Sequence, residues 1–177
     1  MITLVRSIIA GQYGAALSML RGCIERAAPD AWLAVAGQFP FWHIAYHTLY
    51  TTDLYLSEGE EAFQPQPFHI NDYHLLGPQP WSPKEYAAPE RPYEKEQLLG
   101  YVETCWAKAR ETIDGETETT LAGPSGFWWL KLTRLEHHIY NIRHVQHHSG
   151  QLGAVIRSQQ GEGVEWVGSV PLAPRQT

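Results

Sequence analysis

Tyr140-Asn141-Ile142-Arg143-His144-Val145-Gln146-His147-His148-Ser149-Gly150-Gln151-Leu152 is the stretch on which the reading of this chain turns. His144 and His148 stand four residues apart in a segment of helical periodicity, so their imidazoles project from one face about one turn apart. That separation lets two neutral ring nitrogens reach a single divalent ion, and a third ligand must come from elsewhere. A second pair at the same spacing, His43 and His47, lies far upstream in Phe41-Trp42-His43-Ile44-Ala45-Tyr46-His47-Thr48-Leu49-Tyr50. The expected arrangement is two antiparallel helices that face each other and share one metal ion.

Outward from these pairs the chain reads as four long helices. Residues 3–27 carry Leu4, Ile8, Ile9, Ala15, Ala16, Met19, Leu20, Cys23 and Ile24 at the three-and-four spacing of one apolar face. Ala27-Ala28-Pro29-Asp30 closes that helix, and the turn Gly37-Gln38-Phe39-Pro40 feeds a second one over 41–57. Residues 62–92 change character. Seven prolines (65, 67, 78, 80, 83, 89 and 92) remove backbone donors, so a long crossover over the surface is expected. Phe63, Phe68, Tyr73, Trp81 and Tyr86 are the residues expected to pin it. A third helix spans 94–113, with Leu98, Leu99, Val102, Trp106 and Ala109 buried. A fourth spans 132–158, and after Gly161 a tail offers Val164, Trp166 and Val167 to the helices. The expectation is an all-α chain forming a single domain over 1–177.

With 44% hydrophobic and 18% charged residues the composition is that of a packed globule. Seven Trp and nine Tyr against two Met suggest a rigid aromatic interior or an aromatic-lined pocket. A net charge of -6 without a basic run argues against nucleic acid and against an anionic membrane as partners. Cys23 and Cys105 are too few for a disulfide framework and are read as buried small hydrophobes. No apolar run approaches the roughly 20 residues that span a bilayer. The start, Met1-Ile2-Thr3-Leu4-Val5-Arg6, lacks a signal peptide's features, and a cytoplasmic location is expected.

On the fourth helix His137, Asn141, His144, His148 and Gln151 fall on one polar stripe beside an apolar one. A metal ion would satisfy imidazole lone pairs in a place where unpaired polar groups are costly. His137, His138 and His147 read as bystanders, and His69 and His74 as surface-loop residues. Asp53 either orients a ligand, pairs with Arg143 or serves the helix. Tyr46, Tyr50, Asn141 and Gln151 are candidates to support the site or contact a substrate. No H-E-x-x-H, nucleophile elbow, P-loop or dinucleotide fingerprint is present.

At Ala45-Tyr46-His47-Thr48-Leu49-Tyr50-Thr51-Thr52-Asp53-Leu54-Tyr55-Leu56 and His144-Val145-Gln146-His147-His148-Ser149-Gly150-Gln151-Leu152 the sequence resembles the DinB/YfiT family of metalloenzyme-like proteins. The second motif is close to that family's H-x-x-H-H-x-G-Q-L ending. The resemblance implies a four-helix bundle of up-down-down-up course, with the crossover between its second and third helices. It also implies three metal ligands, which map to His47, His144 and His148, with zinc or nickel as the ion. His43 is a departure: a fourth ligand, a support for one, or the true third ligand, with His47 favoured by its place in the motif. Relatives include transferases and isomerases that use low-molecular-weight thiols.

Three neutral imidazoles leave an ion an open position, the pattern of a catalytic site. The expected function is therefore a metal-dependent enzyme acting on a small molecule, activating either a thiol for transfer or water for hydrolysis. The alternative is a metal- or small-ligand-binding bundle without turnover, with an accessory role in stress response. Aromatic-rich helix faces are also compatible with a homodimer.

Overall fold

A computed structural model describes residues 1–79 and 85–173; Pro80, Trp81 and Pro83 of the crossover lie outside the described residues. The fold is all-α. Its elements run α1 (Ile2–Arg26), α2 (Pro29–Leu33), β1 (Val35–Ala36), β2 (Phe39–Pro40), α3 (Phe41–Tyr55), α4 (Lys95–Gly115), α5 (Glu118–Ala122) and α6 (Arg134–Gln160). The four long helices correspond to those read from periodicity. Both α4 and α6 pack against α1 and against α3. Between them lie Tyr13, Leu17, Leu20 and Ile24 of α1, Ile44 and Leu49 of α3, Leu98, Val102 and Ala109 of α4, and Val145, Leu152 and Ile156 of α6.

Local chemistry sets the helix ends. Proline at the first position of α2 starts a short helix, because its missing N–H is one that no helix would use. The segment expected only to close the first helix therefore opens another. Gly37 (φ 78°) allows the tight turn of the β1–β2 hairpin. The last long helix begins two residues later than periodicity suggests. There Thr133 caps the N–H of Glu136, and the Glu136 carboxylate accepts from the Thr133 N–H. It runs on to Gln160, where Gly161 turns left-handed.

The apolar face expected on the first helix is narrower than its sequence pattern: Ile9 is buried and Ile2 and Val5 pack against the core, while Leu4 and Ile8 are exposed. Farther along α1, Gly11 and Gly14 let the C-terminal tail approach. A Cβ at Gly14 would overlap the Val170 carbonyl, and the Val170 N–H donates to the Gly11 carbonyl at 3.1 Å. Leu172 is buried and Val164 and Val167 are half-buried, but Trp166 stays out at 76% exposed, contrary to expectation.

The crossover is pinned by its rings. Tyr93 is the hub: its ring lies 4.3 Å from that of Tyr46 and near those of Trp42, Phe68 and Tyr73. Its hydroxyl accepts from the Ile70 N–H (3.0 Å) and donates to the Phe68 carbonyl (3.2 Å). Phe63 packs on Tyr50 and Tyr86 on Phe39. Both cysteines are buried, and burial pushes the Cys23 thiol up to about 12, which suits an inert small hydrophobe. Among the described residues no helix is long and apolar enough to cross a membrane.

Candidate metal centre

The α3–α6 seam is antiparallel, and its contacts show it. Tyr55 meets His137 (ring centroids 4.8 Å), the Asn141 amide donates to the Thr52 carbonyl (3.3 Å), and His47 meets both His144 and His148. The seam thus carries one turn of α3 and two of α6 into a common place. One ligand atom each of His47, His144 and His148 lies within 4.8 Å of the others. His47 Nε2 and His144 Nε2 are 3.1 Å apart. Two nitrogens at about 2.0–2.1 Å from one tetrahedral ion would stand about 3.3 Å apart, so the spacing suits a shared ion.

Hydrogen bonds at the far side of two rings fix which nitrogen faces inward. His47 Nδ1–H donates to the His74 carbonyl at 2.6 Å, since a carbonyl can only accept. His148 Nδ1–H donates to Gln151 Oε1 at 2.7 Å. Both rings in neutral form therefore offer Nε2 as a lone pair. His144 Nδ1 is buried without a partner among the described residues.

The neutral form is the one present near pH 7. Burial holds His47 down at about 3, against the opposing pull of the His74 carbonyl, and the nearby His148 lowers it further. Burial likewise holds His144 at about 2, helped by His47 and His148, and lowers His148. Three converging neutral imidazoles with no carboxylate among them could hold a divalent ion.

The other sequence candidates fall out as follows. His43 is not part of the three-donor cluster. It is buried between Trp42 and Phe39, with its Nε2 unpartnered among the described residues. His147 is exposed, one residue off the inward face. His138 is a buried structural group, bonded to Glu116 Oε1 (3.0 Å) and to the Tyr13 hydroxyl (3.3 Å). Tyr46 is wholly buried in the aromatic core, whereas Tyr50 is half-buried under the stacked His74 ring at 4.1 Å. Asp53 neither orients a ligand nor meets Arg143. Its carboxylate is held by Lys108 (2.6 Å), Tyr101 (2.9 Å) and Gln66 (3.1 Å).

The reading of His69 and His74 as surface-loop residues is overturned. The prolines and rings of the crossover fold it down onto α3, where Tyr46 hydroxyl and His69 Nδ1 are 2.5 Å apart. There a backbone carbonyl of His74, invisible to any side-chain motif, orients His47. Gln151 carried a usable signal, three residues beyond His148 on the same helix.

The family model of the DinB superfamily matches residues 12–152, a span that begins inside α1 and takes in all three clustered histidines. The chain belongs to the DinB superfamily. No curated protein and no solved structure matches it at a significant level. For this DinB-superfamily chain the matched span also contains His74 and Gln151, the two groups that set the ring orientations.

Proposed function

We propose that His47, His144 and His148 bind one divalent ion, zinc or nickel, and that the protein is a metal-dependent enzyme of one domain. The observation that carries this reading is the convergence of three neutral imidazoles, two of them presenting Nε2 because Nδ1–H is already donated. The ring of contacts α1–α4–α3–α6 supports an up-down-down-up four-helix bundle around it. A bound ion would supply Lewis-acid chemistry, lowering the pKa of a water or thiol that it ligates.

Within this reading the surroundings favour a thiol over water. The described residues place no carboxylate in the cluster, and Asp53, the acidic residue of the first motif, is tied up by Lys108, Tyr101 and Gln66. A carboxylate general base for a bound water is therefore not in place among the described residues. A thiol has an ordinary pKa of about 8.5 and loses its proton with little help. The chain's own part is to hold three rings neutral and aimed, with the crossover's His74 carbonyl fixing His47 and Gln151 fixing His148.

The test is elemental analysis of the untagged protein beside His148→Ala. About one equivalent of metal, lost in the variant, is expected. No uptake from zinc, nickel or manganese would remove the metal centre. Uptake without turnover of any thiol with an electrophile would leave a binding module.

A further inference from the structure

Beside the cluster the molecule exposes more aromatic surface than the helix seam requires. Trp128 is 82% exposed, and Trp129 and Tyr140 are each 38% exposed. Single exposed hydrophobes are ordinary, but rings in contact with one another and rimmed by polar groups mark a binding surface. These rings are in contact. Centroid distances are 5.8 Å for Tyr55–Tyr140, 5.3 Å for Tyr55–Phe127 and 5.3 Å for Phe127–Trp129. Beneath them lies His137, 1% exposed and packed edge-on to Tyr55 and Phe127, with an Nε2 that has no partner among the described residues.

Tyr140 joins this patch to the cluster. Together with Arg143, His144, Gln146 and His147, all on α6, it lines an open groove of about 430 Å³. That is within the range of small-molecule sites. Arg143 is exposed at the groove's edge, and no carboxylate among the described residues pairs with it. A guanidinium presents a planar fork of donors that matches a carboxylate with two parallel hydrogen bonds. Reading along the surface, the order is aromatic shelf, free cation, metal-binding imidazole.

We propose that the acceptor substrate of this centre is a planar aromatic carboxylate, its ring on Tyr140, Tyr55 and Trp129 and its carboxylate on Arg143. The inference rests on the metal-centre reading, because His144 is what gives the groove a reacting end. The groove's size and the cation beside it favour a small anion over a second protein surface.

The probe is 2-naphthoate, titrated into metal-free and zinc-loaded protein by calorimetry, with 2-naphthalenemethanol as its uncharged counterpart. Saturable binding of the acid is expected, roughly tenfold tighter than that of the alcohol. Arg143→Gln should erase that difference, and Tyr140→Ala should weaken both ligands roughly three- to tenfold. Both side chains reach the surface, and circular dichroism verifies that the variants fold. Equal binding of acid and alcohol, unchanged acid binding in Arg143→Gln, or no saturable binding would each overturn the inference. A concentration-dependent dimer dispersed by Trp128→Ala would assign the patch to a second copy of the chain and overturn it too. Zinc uptake without naphthoate binding defeats this inference alone. Naphthoate binding by a protein that takes up no metal defeats the centre and the substrate role together.

Discussion

His47 and His43 sit one turn apart on the same helix, yet only His47 reaches the cluster, and this difference is measurable. His47→Ala should cost far more zinc affinity than His43→Ala, and His147→Ala should leave affinity nearly intact; competition with a chromophoric chelator reads all three. The reverse order for His43 and His47 would reassign the third ligand. Gln151→Leu removes the acceptor that holds His148 in its inward-facing tautomer while keeping a helix-forming residue. Affinity should fall roughly 10–100-fold with unchanged helicity. At this scale the sequence was readable wherever chemistry resided in side chains at helical spacing, as with His144, His148 and Gln151. It was unreadable at His74, where the acting group is a main-chain carbonyl that every residue owns. The unpartnered nitrogen of His137 was equally hidden, since a bystander histidine and one boxed by Tyr55 and Phe127 look alike in sequence.

For the elements, periodicity located the long helices but not their partners. Leu4 and Ile8 are apolar yet lie off the covered face of α1, which runs through Ile2, Val5, Ile9 and Tyr13, because the apolar pattern there is wider than the stripe its neighbours cover. The glycines of the same helix carried the opposite message. Gly14 weakens a helix by about 1 kcal/mol relative to alanine, and only the tail crossing it explains the choice. Gly14→Ala should therefore displace residues 164–173, seen as faster amide exchange and proteolysis there, and should lower Tm although the helix itself gains. A rise in Tm with an unchanged tail would contradict the close approach. Pro29 was legible as punctuation, yet it opened a helix where closure was expected.

The whole molecule couples protonation, metal and stability. His137 is buried and His47, His144 and His74 are half-buried; all four are neutral, held at about 4, 3, 2 and 4, against an ordinary value near 6.5. The unfolded chain takes up their protons first, so stability is complete above pH 6.5 and falls as the pH drops through the window down to those values. Each group contributes up to about 1.4 kcal/mol per pH unit in that window. Glu116 acts lower. Burial alone would raise it, but bonds from His138, Thr120 and Arg134 hold it at about 2, so its contribution is lost below pH 4.5. Metal-free protein should show a Tm that declines from pH 6.5 to 4. Zinc should raise Tm at pH 7.5 and still at pH 5, because the folded rings stay neutral and protons compete for the same nitrogens only as the pH nears 3. A zinc shift already abolished at pH 5 would contradict rings held neutral by burial.

The strap of tail across α1 has a consequence in time. Gly11 is bonded to Val170, Tyr13 to His138 and Cys23 to Ser149, so the first helix is completed by residues made much later. At about 5–20 residues per second, synthesis leaves roughly 6–30 s between them. During that interval Leu17, Leu20 and Ile24 lack the surfaces that will bury them, and the nascent chain is a client for chaperones. Slower translation of the second half should lengthen that exposure and lower the yield of folded protein.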